Sequence, residues 1–279
     1  LLITCLFICY SSTACSETEE CISENSWQLG LAVGLGIKTN PLVGGDNIPL
    51  LVLPDIAWYG EKAYFDNLEL GYQWINNGAI SSESFIQIDS EAAFFNFLHP
   101  DNIFTSNTIS GSDEYLDTPS EDENTNKVLS INDVADRYWA VNGGGRLHYF
   151  VVNSEFSIAA MTDVSGVHKG HQLEVVYQYK WQWHTARFNT KLGVNWKSTD
   201  LVDYYYGVDE RDTDQKDLFY EVKGGWQPHL SVNVQIPFDE HLMWLVNLGY
   251  RKLPDTIYRS PLIQSNHIKR VFFGVAYRY

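Results

Sequence analysis

The sequence predicts an all-β fold: a closed antiparallel transmembrane β-barrel of about twelve strands, preceded by a signal segment. Three observations predict it. Apolar residues recur at every second position over long segments, no apolar run after Tyr10 is long enough for a membrane helix, and the connections alternate between short and long. A helix needs about 20 apolar residues to cross a bilayer. A chain that crosses without one must close its strands, because an open sheet edge in hydrocarbon leaves backbone groups unpaired.

Composition supports two solvents. Of 279 residues, 44% are hydrophobic and only 19% charged, while 17 Tyr, 14 Phe and 9 Trp make the chain rich in aromatics. Such a balance suits a surface that meets lipid along its middle and water at its ends. A net charge of −16 argues against a nucleic-acid partner. Much of the acid lies between 112 and 126, in Asp113, Glu114, Asp117, Glu121, Asp122 and Glu123. These residues lack EF-hand spacing, so the run reads as a solvated loop.

In chain order, residues 1–14 read as a signal peptide truncated at its start, with the apolar run Leu1 to Tyr10 followed by the small residues Ser11-Ser12-Thr13-Ala14. Residues 15–26 read as a periplasmic N-terminal segment. There Cys15 is either lipidated or disulfide-bonded to Cys21, in an oxidising compartment. Residues 27–279 read as the barrel. Its opening strand sets Trp27, Leu29, Leu31, Val33, Leu35 and Ile37 against Gln28, Gly30, Ala32, Gly34 and Gly36. Its closing strand sets Val271, Phe273, Val275, Tyr277 and Tyr279 against Phe272, Gly274, Ala276 and Arg278. The period is two, not 3.6, which excludes amphipathic helices.

The expected strands are 27–38, 49–59, 62–66, 68–75, 83–98, 137–151, 153–163, 168–182, 184–198, 218–237, 240–253 and 266–279. An even count follows from placing both ends on the periplasmic side. That count requires splitting 62–75 at Asp66-Asn67; otherwise the acidic loop 99–136 would face the periplasm instead of the outside. Short turns are expected at Tyr59-Gly60-Glu61, Asn76-Asn77-Gly78, Asn153-Ser154, Gln182-Trp183-His184 and Phe238-Asp239-Glu240. Pro54, inside the second strand, suggests a bulge. Trp27, Trp181, Trp196 and Tyr279 suit interfacial girdles.

Several patterns in order resemble the MltA-interacting protein family, also called the MipA/OmpV family, of Gram-negative outer membranes. They are Asp163-Val164-Ser165-Gly166 with His168 and Gly170, Asp203-Tyr204-Tyr205-Tyr206-Gly207-Val208, Ser260-Pro261-Leu262-Ile263, and Phe273-Gly274-Val275-Ala276-Tyr277-Arg278-Tyr279. Leu29 to Ile37 and Leu50-Leu51-Val52-Leu53-Pro54 extend the likeness. The resemblance implies a bacterial outer-membrane barrel, in contact with outer-membrane lipid. It also implies a scaffold that holds a lytic transglycosylase near a peptidoglycan synthase.

No constellation in the sequence specifies catalysis, a cofactor or a metal, and the chain reads as a non-enzyme. His168 and His171 with Asp163 lack a fourth ligand and a regular frame, so they read as polar loop residues with two surface histidines. Ser157 with His148, and Ser231 with His229, are pairs that any polar lumen offers. Gly143-Gly144-Gly145 sits in an alternating strand and reads as a packing or bending device. Tyr204-Tyr205-Tyr206 reads as an interfacial aromatic cluster.

Strand phase does place charges inward. Asp55, Glu69, Asp89, Glu91 and Glu155 come from early strands, and Lys180, Arg187, Lys191, Arg251 and Arg278 from late ones. Such segregation gives either ion pairs that plug the lumen or a transverse field across a wet one. Three functions follow: a scaffold, a small diffusion pore for polar solutes, or a surface adhesin or antigen acting through loop 99–136.

Overall fold

The computed structural model describes residues 25–104 and 128–279. The expected signal peptide, Cys15, Cys21 and the acidic run at 112–126 lie outside the described residues. Twelve strands cross the wall: β1 (Ser26–Lys38), β3 (Val52–Tyr59), β4 (Ala63–Asp66), β5 (Glu69–Asn76), β6 (Ile80–Ile88), β7 (Val141–Val151), β8 (Ser154–Asp163), β9 (His171–Trp183), β10 (Ala186–Lys197), β11 (Gly225–Pro237), β12 (Leu242–Lys252) and β13 (His267–Arg278). A two-residue piece, β2 (Ile48–Pro49), pairs with the outer end of β1. Every neighbour is antiparallel, and β13 pairs with β1 from Gly30↔Arg278 to Lys38↔Arg270, which closes the barrel.

Closure removes the sheet edges and inverts the usual burial. Leu35 is 75% exposed, Trp226 51% and Leu230 42%, all on the outward face, because in this protein the outward face meets hydrocarbon. Aromatics gather toward the short-turn end. Trp27 lies 6.4 Å from Trp58, Trp181 stacks on Phe188 at 3.8 Å, and Trp244 stacks on Phe273 at 5.4 Å. In bacterial outer-membrane barrels the short turns lie at the periplasmic interface.

The short turns fall where expected. Asn67, Asn153 and His184 take positive φ of 46°, 60° and 54°, and Gly78 takes 82°. Three segments depart from expectation. The strand expected at 83–98 is instead β6 (Ile80–Ile88), and the chain then turns inward as a one-turn helix, Glu91–Phe94. The strand expected at 218–237 starts at Gly225, because Lys216–Leu218 is another one-turn helix. Pro54 makes no bulge: the β1–β3 register runs unbroken from Ser26↔Tyr59 to Val33↔Val52. The irregularity in that part of the wall is at Gln73/Ile75, between β5 and β6.

The described parts of the long connections pack against one another. Helix α1 (Thr199–Tyr206) and helix α2 (Asp255–Tyr258) fold over the outer mouth with segments 40–43, 91–95 and 260–263. Together they bury Leu42, Phe94, Leu201, Tyr206, Leu253 and Leu262, so the mouth holds a small conventional hydrophobic core. Tyr204-Tyr205-Tyr206 belongs to this plug and not to the membrane interface: Tyr205 and Tyr206 are fully buried.

Candidate functional site

The lumen beneath the plug is the candidate site, and strand phase builds it. Directly opposed residues share a face, so the registers through Gly30 place both Asp55 and Arg278 inward. Gly30 has no side chain to separate them, and the Arg278 guanidinium approaches the Asp55 carboxylate to 3.7 Å. By the same phase Glu69, Asp89, Glu155, Lys180, Arg187, Lys191 and Arg251 occupy inward positions. Glu91 is not on a strand; it sits at the base of the plug.

Sequence phase missed Arg146, and that changes the electrostatics. Gly143-Gly144-Gly145 blurs the alternation just before it, so strand phase gave no inward basic residue on β7. Arg146 donates to Glu69 (2.8 Å) and Glu83 (2.6 Å), and its guanidinium lies 4.1 Å from the Phe85 ring centre. His148 bridges Glu155 (2.7 Å) and Glu83 (3.2 Å). The expected separation of early acids from late bases is therefore broken by a cation inside the acidic wall. Both ring nitrogens of His148 are taken by carboxylates, which leaves neither to accept a proton from Ser157.

Gly144 reads correctly as a packing device. A Cβ there would lie 2.4 Å from the Ala160 carbonyl oxygen. His168 is buried, unlike exposed His171. Its Nδ1 accepts from the Gly170 amide at 2.9 Å, as a neutral ring does, and burial pushes its pKa down. Asp163 organises that loop by accepting from the amides of Ser165, Gly166, His168 and Lys169. Among the described residues no cluster of three His, Cys, Asp or Glu has metal-site geometry.

The plug is tied down by charge. Glu91 is fully buried and bonds Lys197 and Tyr206, with the Arg251 Nη1 at 3.2 Å. Burial alone would raise the pKa of Glu91, but Lys197 and Arg251 overcome it and hold the carboxyl at about 2. Arg137 forks onto Asp212 at 2.9 and 3.0 Å and also donates to the carbonyls of Ala135 and Gly207. Lys38 reaches Asp101 at 2.8 Å and Asn102 at 3.1 Å, which ties the segment after Phe97 to the rim of β1. Asp89 accepts from Asn142 and Gln172, each at 2.7 Å.

Below these contacts lies a polar cavity of about 550 Å³, reaching from the periplasmic turn Gly60-Glu61-Lys62 to Asp89 and His99. A smaller cavity of about 130 Å³ lies against Asp55, Asn233 and Arg278.

The sequence matches the family described as MltA-interacting protein MipA over residues 31–279. This chain belongs to that family. It is a barrel of the bacterial outer membrane. The protein of Escherichia coli (strain K12) that carries the name outer membrane protein YiaT is 30% identical over 122 residues, 43% of this chain and 50% of that protein. The MltA-interacting protein of the same strain is 25% identical over 89 residues, 32% of this chain and 36% of that one. The matched stretch thus spans half or less of these relatives. Among solved structures, an outer membrane channel from Pseudomonas putida F1 aligns over 96% of this chain and 100% of its own, with a TM-score of 0.42 and 10% identity.

Proposed function

We propose that this protein is a non-enzymatic scaffold whose periplasmic turns hold peptidoglycan-remodelling enzymes, a lytic transglycosylase and a peptidoglycan synthase, at the inner face of the outer membrane. One observation carries the reading. Among the described residues a packed plug covers the outer mouth, whereas the cavity beneath it reaches the turn Gly60-Glu61-Lys62 at the other end. A barrel shut on the outside serves as an anchor that presents its inner rim. The interaction in the name of the family's Escherichia coli member supports the first partner class.

Photo-crosslinking in cells tests it. Crosslinkers placed at Glu61, Asn77 and Asp239, in three periplasmic turns, are expected to capture a murein hydrolase or synthase, and a crosslinker at outer-loop Lys169 is not. Repeated capture of neither enzyme from the three turns overturns the scaffold.

A second reading, a small diffusion pore for polar solutes, is favoured by the polar cavity of about 550 Å³. Planar-bilayer recording separates the two. The scaffold predicts no steady conductance from the intact barrel, and a stable open level would transfer the assignment to the pore.

A further inference from the structure

The wall has one low place. Strand β4 meets β3 only at Ala57, Trp58 and Tyr59. From Val52 to Ile56, β3 therefore has no strand on that side among the described residues. Two devices end the pairing there. The side chain of Asn67 replaces the next ladder partner: its Oδ1 accepts from the Ile56 amide at 3.0 Å, and the Asn67 amide donates to the Ile56 carbonyl at 2.9 Å. Peptide groups two residues apart point the same way, so the nitrogen of Pro54 faces the free edge and carries no hydrogen to leave unpaired. The hairpin tip itself is a tight turn, with φ of 46° at Asn67 and 75° at Leu68.

This notch borders the lumen. The large cavity reaches it, since Leu68, Ile88, Pro100 and Phe104 line that cavity together with the luminal charges. Val52 on the outward face of β3 is exposed, as are Phe97, Leu98 and Ile103 in the segment that supplies Pro100 and Phe104. The luminal side is acidic, with eight carboxylates against five Lys and Arg side chains along the cavity among the described residues. Asp66 and Glu69 form the last cross-strand pair of the hairpin, just below its tip. Tyr59 donates to Asp66 and Tyr64 to Glu69, each at 2.7 Å, which fixes both carboxylates facing inward. Among the described residues the plug packs over the axial route, and Leu68 at the hairpin tip brings the cavity lining to the unpaired stretch of β3.

We propose that the notch is a lateral entry for a cationic amphiphile of the outer leaflet, whose alkyl chain remains in lipid while its ammonium group enters the acidic lumen. Desolvating a cation is tolerated where carboxylates outnumber bases, and an anionic head of the same length meets the opposite field. The cavity volume falls in the range of small-molecule sites, about 300–1,000 Å³.

The test uses the full barrel in lipid nanodiscs and a dodecylamine that carries dansyl at the far end of its alkyl chain, leaving the ammonium free, with the dodecanoate labelled at the same end as the anionic counterpart. Saturable binding of the amine above that of empty nanodiscs is expected, at least tenfold tighter than the carboxylate. Filling the notch with Leu68→Trp should weaken amine binding about tenfold, whereas Leu230→Trp on the far outer wall should leave it unchanged. If Leu68→Trp fails to fold, judged by heat-modifiable gel migration, Leu68→Cys in a background with the native cysteines replaced by Ser is folded first and then blocked with a bulky maleimide. Binding no greater than to empty nanodiscs, equal affinity for the carboxylate, or indifference to a blocked notch each overturns the proposal.

Discussion

The wall and the plug of this protein solve the same problem by opposite means. In the wall, large apolar side chains such as Leu35 and Leu230 point outward and find their solvent in the bilayer, while polar groups face an enclosed space. In the plug, Leu201, Tyr205 and Leu262 point at one another and exclude every solvent. A substitution should therefore cost differently in the two regions, even when the chemistry is identical. Removing a methylene in the plug leaves a void that neighbours must fill; on the wall, a lipid chain fills it.

The largest expected effect is at the charged tie beneath the plug. Glu91→Ala strands Lys197 in a buried site and takes a carboxylate from partly exposed Arg251, a loss of about 3–5 kcal/mol by analogy with other broken buried pairs. Hydrogen exchange at the amides of Thr199–Tyr206 should accelerate by several orders of magnitude. Unchanged protection would mean that apolar packing alone holds the plug.

Next come matched leucines. Leu201→Ala is expected to cost the plug about 2–5 kcal/mol, and Leu230→Ala much less, whereas Leu230→Lys should cost the wall about 2–4 kcal/mol near mid-bilayer. Urea unfolding in lipid vesicles reads the wall, and hydrogen exchange reads the plug. Equal costs for the two alanine variants would erase the distinction between the regions.

A smaller and graded effect follows from pH. Glu91 titrates at about 2 in the folded plug, against an ordinary value of 4.5. Its stabilisation is therefore complete above about pH 4.5 and is lost as pH falls toward 2. Single-channel recordings should stay silent from neutrality to about pH 4.5 and show openings only below it. Openings that begin near neutrality would point to another group.

The smallest effect is at the exposed pair Arg211–Asp209, at 2.9 Å, where Arg211→Ala should change stability by no more than about 1 kcal/mol.

The same contrast explains what the sequence revealed. Strand phase is a local repeat, so the closing strand Val271 to Tyr279 could be read directly, whereas the split at Asp66-Asn67 came from the even strand count. The plug has no repeat. Its core gathers Leu42, Phe94, Leu201 and Leu253 from separate connections, and three consecutive tyrosines look alike whether they meet lipid or one another. The expected strand 83–98 ran too far because Ala92 and Phe94 are apolar for the plug, not for the membrane. Arg146 was overlooked because three glycines erase the alternation before it. Its placement between Glu69 and Glu83 depends on registers across β5, β6 and β7, which a one-dimensional pattern does not carry.

At the seam, Gly34 stands opposite Gly274, and a Cβ on Gly34 would come within 2.5 Å of the Gly274 Cα. The two segments that fit so closely are the first and last strands, so nothing made earlier in the chain can zip the cylinder shut. Until β13 arrives, β1 is a bare edge ready to pair with any other strand. Such a nascent barrel carries an edge open to wrong pairing, and side chains larger than hydrogen at these paired positions would impair the final fastening more than the finished wall.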